Sequence, residues 1–243
     1  MPGSRQYRGI VLVEIYSDVV CPWCAIGKAR FEKALAQFPD RDQVEVVWRA
    51  FQLDPTAPAA PTPVIDGYAR KFGGLEKARQ IIDTVTVAAA GEGIEFHMEI
   101  ALRANTFDAH RLLWFVLEQH GRERQGQMKS RLLRAYFTEG LNVADHGVLA
   151  TLASDVGLDR SAVEAFLDSA DGIAEVRHEL DGAYERGVSA VPTFVFDGEW
   201  AVPGAQDPDV FLRVFDRLQS RAREAAEAAS GSGDSCTVDS LNC

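Results

Sequence analysis

Apolar residues along this chain keep strand spacing near its two ends and helical spacing between them. Ile10 to Tyr16 is a short, β-branched apolar run that predicts a strand. Pro22 suits the first turn of a helix, where its missing N–H costs nothing. Ile26, Ala29, Phe31, Ala34, Leu35 and Phe38 then recur at helical spacing until Pro39-Asp40 stops them. Val44 to Phe51, with three valines and Trp48, predicts a second strand. Strand, helix and strand in this order predict a parallel pair joined by a right-handed crossover.

Four prolines between residues 54 and 63 mark a loop. From about Ile65 to Gly187 the pattern is helical. Asn105-Thr106 caps a segment whose apolar face holds Phe107, Leu112, Leu113, Phe115, Val116 and Leu117. Helices over Met128 to Phe137, His146 to Val156, Ser161 to Leu167 and Ile173 to Tyr184 follow, mostly separated by glycine-containing turns. Strand character returns at Thr193 to Phe196. Asp197-Gly198 then marks a hairpin turn, and Trp200 to Pro203 pairs back. Asp207-Pro208 opens a last helix with Val210, Phe211, Val214, Phe215 and Leu218 in one stripe. After Ala229 the chain reads as a flexible Ser/Gly linker carrying Cys236 and Cys243. The pattern divides the chain into residues 10–64 (strand, helix, strand), 65–187 (helical insertion), 188–229 (two strands and a helix) and 230–243 (tail).

Composition narrows the function classes. With 47% apolar residues over 243 positions, the chain buries a core without needing disulfides. Its formal net charge of −11 argues against a nucleic-acid backbone or an anionic membrane as partner. No run approaches the ~20 apolar residues that cross a bilayer. No basic leader with an apolar stretch and a small-residue cleavage site is present, so the expected compartment is the cytoplasm. There a CxxC points to redox or metal chemistry more than to a structural bridge. A monomer or homodimer is expected.

The chemistry concentrates at Cys21-Pro22-Trp23-Cys24, where a strand feeds directly into a helix. Thiol–disulfide exchange needs a thiolate, and a free cysteine ionises only near ~8.5. A cysteine at a helix N-terminus faces unpaired N–H groups and the positive end of the macrodipole. Cys21 occupies that position, and two intervening residues let the Cys24 sulfur meet it within one turn. Cys21 is therefore the candidate nucleophile and Cys24 the candidate resolving thiol. Pro22 stiffens the turn, and Trp23 offers an apolar lid. The competing reading is half of a zinc site completed by Cys236 and Cys243. Their six-residue separation is looser than the ~2–4 usual between paired zinc ligands, so no metal is expected.

Val13 to Cys24 resembles the active-site segment of the DsbA family of the thioredoxin superfamily, and most closely its FrnE-like branch. Gly187-Val188-Ser189-Ala190-Val191-Pro192-Thr193-Phe194 is similar to that family's loop in which a proline is cis and packs on the active-site disulfide. Asn105-Thr106-Phe107-Asp108-Ala109-His110-Arg111-Leu112 is similar to a stretch of FrnE-like proteins. The resemblance spans roughly residues 10–220. It implies an α/β thioredoxin fold with a large all-helical insertion between its βαβ and ββα halves, and thiol–disulfide oxidoreductase activity of reductase or isomerase type. It also implies that a cis Pro192 frees the backbone of Val191 to pair with an extended substrate. Substrates would be protein thiols and disulfides or a small thiol. No cofactor is expected beyond the redox disulfide, with a low-molecular-weight thiol as candidate reductant. The best-known secreted members carry His where this chain has Trp23, so a less oxidising couple is expected here.

Other residues keep two readings. Glu14 resembles the buried acid of thioredoxin-like proteins that accepts the proton of the resolving cysteine. It also fits a solvent-facing strand position. Asp18 could serve instead, although loop capping is its simpler role. His110 fits the cleft wall or the surface. Cys236/Cys243 fits an accessory redox pair or a free tail. Two alternative functions remain. One is a small-thiol-dependent isomerase or reductase of aromatic substrates, resembling chromene-carboxylate isomerases; these typically carry Ser at the Cys21 position. The other is a zinc-binding or chaperone-like module.

Overall fold

A computed structural model of the chain describes residues 11–58 and 60–231. Strand β1, Val11–Ser17, leads into helix α1, Pro22–Gln37, and strand β2, Val44–Ala50, returns parallel to β1, with Val11 opposite Val44 and Ser17 opposite Ala50. Strand β5, Thr193–Phe196, runs antiparallel to β1 on its other side, and β6, Trp200–Pro203, closes the hairpin against β5. The sheet order is β2-β1-β5-β6. Asp197 and Gly198 turn the hairpin with φ of 50° and 71°, the positive pair that a two-residue hairpin loop favours.

Strand period two sorts the sheet's faces. Val13 and Ile15 of β1, with Phe194 and Phe196 of β5, meet Phe31 of α1 and Phe211 and Phe215 of α8, Pro208–Gly231. Phe31 stacks on Phe194 at 5.3 Å and meets Phe211 edge-on at 5.4 Å. Glu14, Tyr16 and Val195 face the other way. There Tyr16 and Val195 pack with Phe51, Ala183 and Val188.

Between β2 and β5 lie the helices α2 (Val64–Phe72), α3 (Leu75–Gly91), α4 (Phe107–Phe137), α5 (His146–Asp155), α6 (Arg160–Leu167) and α7 (Ile173–Glu185). One feature departs from the sequence pattern. The proline-rich loop contributes a two-residue strand β3, Thr62–Pro63, paired with β4, Leu102–Arg103. Elements this short have no periodicity to read. The two predicted helices over this stretch are both present, as the two halves of α4 on either side of a sharp break at Gly121, whose φ of 80° and ψ of 178° only glycine adopts freely. Gln125, just past the break, donates back to the carbonyl of Leu113 at 3.3 Å. Its amide also accepts from the N–H of Trp48 and donates to the Trp48 carbonyl, both at 2.9 Å, which covers the free edge of β2.

The Asn105–Leu112 stretch joins these layers. The Asn105 side chain accepts from the N–H of Phe107 and from Gln52. Arg111 is 3% exposed and donates to the carbonyls of Phe166, Leu167, Ser169 and Asp171 while pairing with Asp108 at 2.8 Å. It thereby satisfies the carbonyls of the α6–α7 turn. Replacing a buried, multiply bonded charge strands its partners, so Arg111→Met is expected to lower stability by about 3–5 kcal/mol. Urea denaturation measures this, and a loss below about 1 kcal/mol would contradict the assignment.

Candidate active site

The end of β1 delivers Ser17 and Asp18 to the head of α1. Cys21 is the residue before the helix, in extended conformation with φ −89° and ψ 115°, and Pro22 opens the first turn. The Cys21 carbonyl accepts from the N–H groups of Cys24 and Ala25 at 3.0 and 3.3 Å, which places Cys24 one turn inside. Both cysteines are free thiols, and both are buried. Trp23 between them is 40% exposed.

The loop before β5 faces this turn. Its Val191–Pro192 peptide is cis. The Cys21 thiol donates to the Val191 carbonyl at 3.7 Å, and the Pro192 carbonyl accepts from the N–H of Gly204 at 2.7 Å. The loop comes so close to α1 that a Cβ on Gly27 would lie 2.8 Å from the Pro192 ring and 3.3 Å from the Cα of Ala205.

Beneath the thiols sits a sealed polar cluster. The Asp18 carboxylate is wholly buried and accepts from the N–H groups of Val19 and Leu53 at 2.7 and 2.8 Å and from His110 at 3.2 Å. Burial alone would raise its pKa. The His110 bond and charge, the Leu53 N–H and the Lys129 ammonium outweigh it and hold Asp18 below the usual carboxylate value. Lys129, from the second half of α4, is also fully buried; it donates to the Ser17 carbonyl at 3.4 Å and lies 5.4 Å from the centre of the Trp48 ring. Burial pushes its pKa down to about 8 against the upward pull of Cys24, Asp18 and Cys21. The buried Ser17 hydroxyl closes no hydrogen bond among the described residues and faces the Cys24 sulfur.

The two thiols share one readily lost proton. The bond to Cys24, burial and the Cys24 charge push Cys21 well above the ordinary thiol value. Burial would raise Cys24 too, but the Cys21 thiol, Lys129, Ser17 and the Asp18 backbone bring it below. The first ionisation is therefore eased and the second opposed.

Cys21, but not Cys24, opens into a cleft of about 570 Å³. Its walls include Tyr68, Phe72 and Tyr136, and Arg70, Lys71 and Arg103 also line it. Arg103 pairs with Asp54 at 2.7 Å. Burial raises both tyrosine pKa values, so both hydroxyls stay protonated.

The structure brings together Cys21, Pro22, Trp23, Cys24, Val191 and Pro192. It does not bring Glu14 to Cys24, which corrects the proton-acceptor expectation. Glu14 points to the far face of the sheet, where it binds Arg49 at 2.8 Å and Arg186 at 3.2 Å. Asp18 and Lys129 occupy the place expected of it. His110 is neither on the cleft wall nor at the surface; it is buried against Asp18. Lys129 was the residue missed. The signal for it was Gln125 and Lys129 interrupting the apolar positions Met128, Leu132 and Leu133 on one face of a helix. Cys236 and Cys243 lie outside the described residues. Among the described residues no three His, Cys, Asp or Glu side chains form a metal-holding group, and no helix is long and apolar enough to cross a membrane.

Comparison with known proteins gives consistent matches. The DSBA-like thioredoxin domain profile matches residues 12–216. The uncharacterized protein YwbO of Bacillus subtilis (strain 168) is 30% identical over 215 residues, covering 87% of this chain and 98% of that protein. The crystal structure of a probable DsbA oxidoreductase from Streptomyces coelicolor is 36% identical, with a TM-score of 0.78 over 96% of this chain and 94% of that one. The cytosolic disulfide reductase DsbM of Pseudomonas aeruginosa, solved with GSH, shares the fold at 18% identity, with a TM-score of 0.58 over 86% of this chain and 99% of that one.

Two expectations follow from this geometry. Alanine favours a helix over glycine by ~1 kcal/mol, yet Gly27→Ala is expected to lose about 1–3 kcal/mol because its methyl overpacks against Pro192 and the Ala205 backbone. A gain in urea midpoint would refute the close approach. In a pH titration of the reduced Cys236→Ser, Cys243→Ser double variant followed by thiolate ultraviolet absorbance, one thiolate should appear below the ~8.5 of free cysteine and the second well above it. The first adds stability to the reduced form that is present above the unfolded-chain value and lost as pH falls through the folded one. A single step of two thiolates near the free value would contradict the shared proton.

Proposed function

The chain belongs to the DSBA-like thioredoxin domain family, and from that premise we propose that it is a thiol–disulfide oxidoreductase working through Cys21 and Cys24. The observation that carries this reading is the arrangement of the two thiols. One opens into a cleft at the head of a helix, and its partner lies one turn below, out of reach of substrate. The Cys21 proton passes to the more readily ionised Cys24, and the Cys21 thiolate so formed attacks a substrate disulfide, forming a Cys21–substrate bond while one substrate sulfur departs as thiolate. Cys24 then attacks the Cys21 sulfur, closes the Cys21–Cys24 disulfide and releases the second substrate thiol. The Val191 backbone, facing Cys21, offers an edge for an extended chain to lie along. Reduction or isomerisation of protein disulfides in the cytoplasm is the activity we assign.

A second reading has its own observation. The cleft is of small-molecule size, and the cations Arg70, Lys71 and Arg103 line it. A small anionic thiol or its disulfide fits there, as substrate or as the reductant that recycles the pair. The GSH in the DsbM structure supports this.

Insulin reduction with dithiothreitol, run on wild type and Cys21→Ser, separates enzyme from bystander. Wild type should accelerate precipitation, and the variant should fall to the uncatalysed rate. Equal rates in the two proteins would end the proposal. Running the same pair on glutathione disulfide with a coupled reductase shows which substrate class is preferred.

A further inference from the structure

Exchange at Cys21 makes no use of the ammonium buried beneath Cys24. A lysine with no exposed surface is costly to hold charged, and it persists where an opposing charge compensates it. Lys129 has one hydrogen bond in the structure, a long one to the Ser17 carbonyl, and the face of Trp48 beside it. Around it stand Cys24 and Lys28 from α1, Cys21 and Asp18 from the β1–α1 connection and Trp48 from β2, with His110 bonded to Asp18. Lys28 is committed to Glu32 at 2.6 Å. Asp18 already has three donors of its own. The Ser17 hydroxyl, buried and without a partner, faces the same sulfur. An orphaned donor and an under-paired cation thus converge on Cys24. Such a pocket fits an anion there.

We propose that Lys129 is the positioning residue of the dithiol, its ammonium, with the Ser17 hydroxyl beside it, holding Cys24 ready as the thiolate that resolves the mixed disulfide. This rests on the assignment of Cys21 and Cys24 as the redox pair. In the resolving step the Cys24–Cys21 bond forms and the Cys21–substrate bond breaks. The electron pair leaves on the substrate sulfur, which ends with the proton Cys24 gave up. No other reactant is needed. Lys129 thereby supplies from the helical insertion the cation that Trp23 does not supply between the cysteines. When the disulfide closes, the anion vanishes and Lys129 keeps only Asp18. Lys129 therefore favours the reduced pair.

The test begins with the mass of the proteolytic peptide that holds Cys21 and Cys24, cut from oxidised wild type, which shows whether these two bridge. Equilibration with glutathione buffers then compares wild type, Lys129→Met and Lys129→Arg. The Met variant should be reduced at least tenfold less readily, about 30 mV at two electrons, and Arg should restore most of the loss. Thermal unfolding of both redox forms separates this from a packing role. A packing role lowers both forms alike, whereas the proposed role lowers the reduced form relative to the oxidised one. Should the Met variant not fold, wild type suffices. By reciprocity the Lys129 ammonium, followed by lysine side-chain NMR, must titrate at lower pH in the oxidised protein than in the reduced one. Bridging with an unchanged glutathione equilibrium, or an equal Lys129 titration in both forms, would overturn the role of Lys129 alone. A pair that never bridges would overturn the redox assignment, and this role with it.

Discussion

The site depends on a single buried carboxylate. Asp18 has no exposed surface, yet its partners hold it below the usual carboxylate value. It achieves this by collecting donors from three separate stretches of chain. Val19 belongs to the approach to α1, Leu53 to the loop leaving β2, and His110 to the first half of α4. A buried anion without such donors would cost several kcal/mol. The three segments are therefore held together by the same interaction that makes the anion tolerable. Once they are fixed, the head of α1, the floor under Cys24 and the wall of the cleft are fixed as well.

That arrangement also determines what oxidation does to the local charge. In the reduced state proposed above, the Lys129 ammonium faces two anions, Asp18 and one thiolate. In the disulfide state one negative charge disappears from a region with little water to screen the remainder. On the proposed role Lys129 then keeps one counter-anion in place of two, which favours the reduced pair, while the Asp18 charge opposes a thiolate beside it and favours the disulfide. A Trp between the cysteines removes one familiar source of positive charge, and by itself that points to a weakly oxidising couple. The buried ammonium acts in the opposite direction. The potential is set by the sum of these opposing effects, and the residues flanking the cysteines report only one of them.

Much of the scaffold was legible because it rests on periodicity. The β1–α1–β2 unit, the Asp197-Gly198 hairpin and the apolar stripe of α8 each follow from local spacing and turn chemistry. The position of the CxxC at a strand-to-helix junction was legible in the same local way. Contacts across long sequence separations left no such trace. Glu14 looked like a buried acid near the cysteines because strand position gives only a face, and the face is set by Arg49 and Arg186, 35 and 172 residues away. His110 and Arg111 belong to a motif visible in the sequence, but only the fold shows one bonded to Asp18 and the other to the carbonyls of the α6–α7 turn. Lys129 was hidden for the same reason, as one polar residue on an apolar helical face.

The break at Gly121 is what lets one helix serve the site twice. Nineteen residues of straight helix would separate His110 from Lys129 by about 28 Å, at 1.5 Å per residue. Both nevertheless reach Asp18, one by a hydrogen bond and the other by its charge. The Gln125 bond to the Leu113 carbonyl shows the same thing directly, because twelve residues of straight helix would hold those groups about 18 Å apart. The glycine conformation folds α4 back, so that its first half supplies the donor to Asp18. Its second half supplies the cover on the β2 edge, the cation under Cys24 and, at Tyr136, part of the cleft wall. Without that reversal the helical segment could still pack a core of its own. It could not place an ammonium beneath a thiol that belongs to the sheet's first crossover.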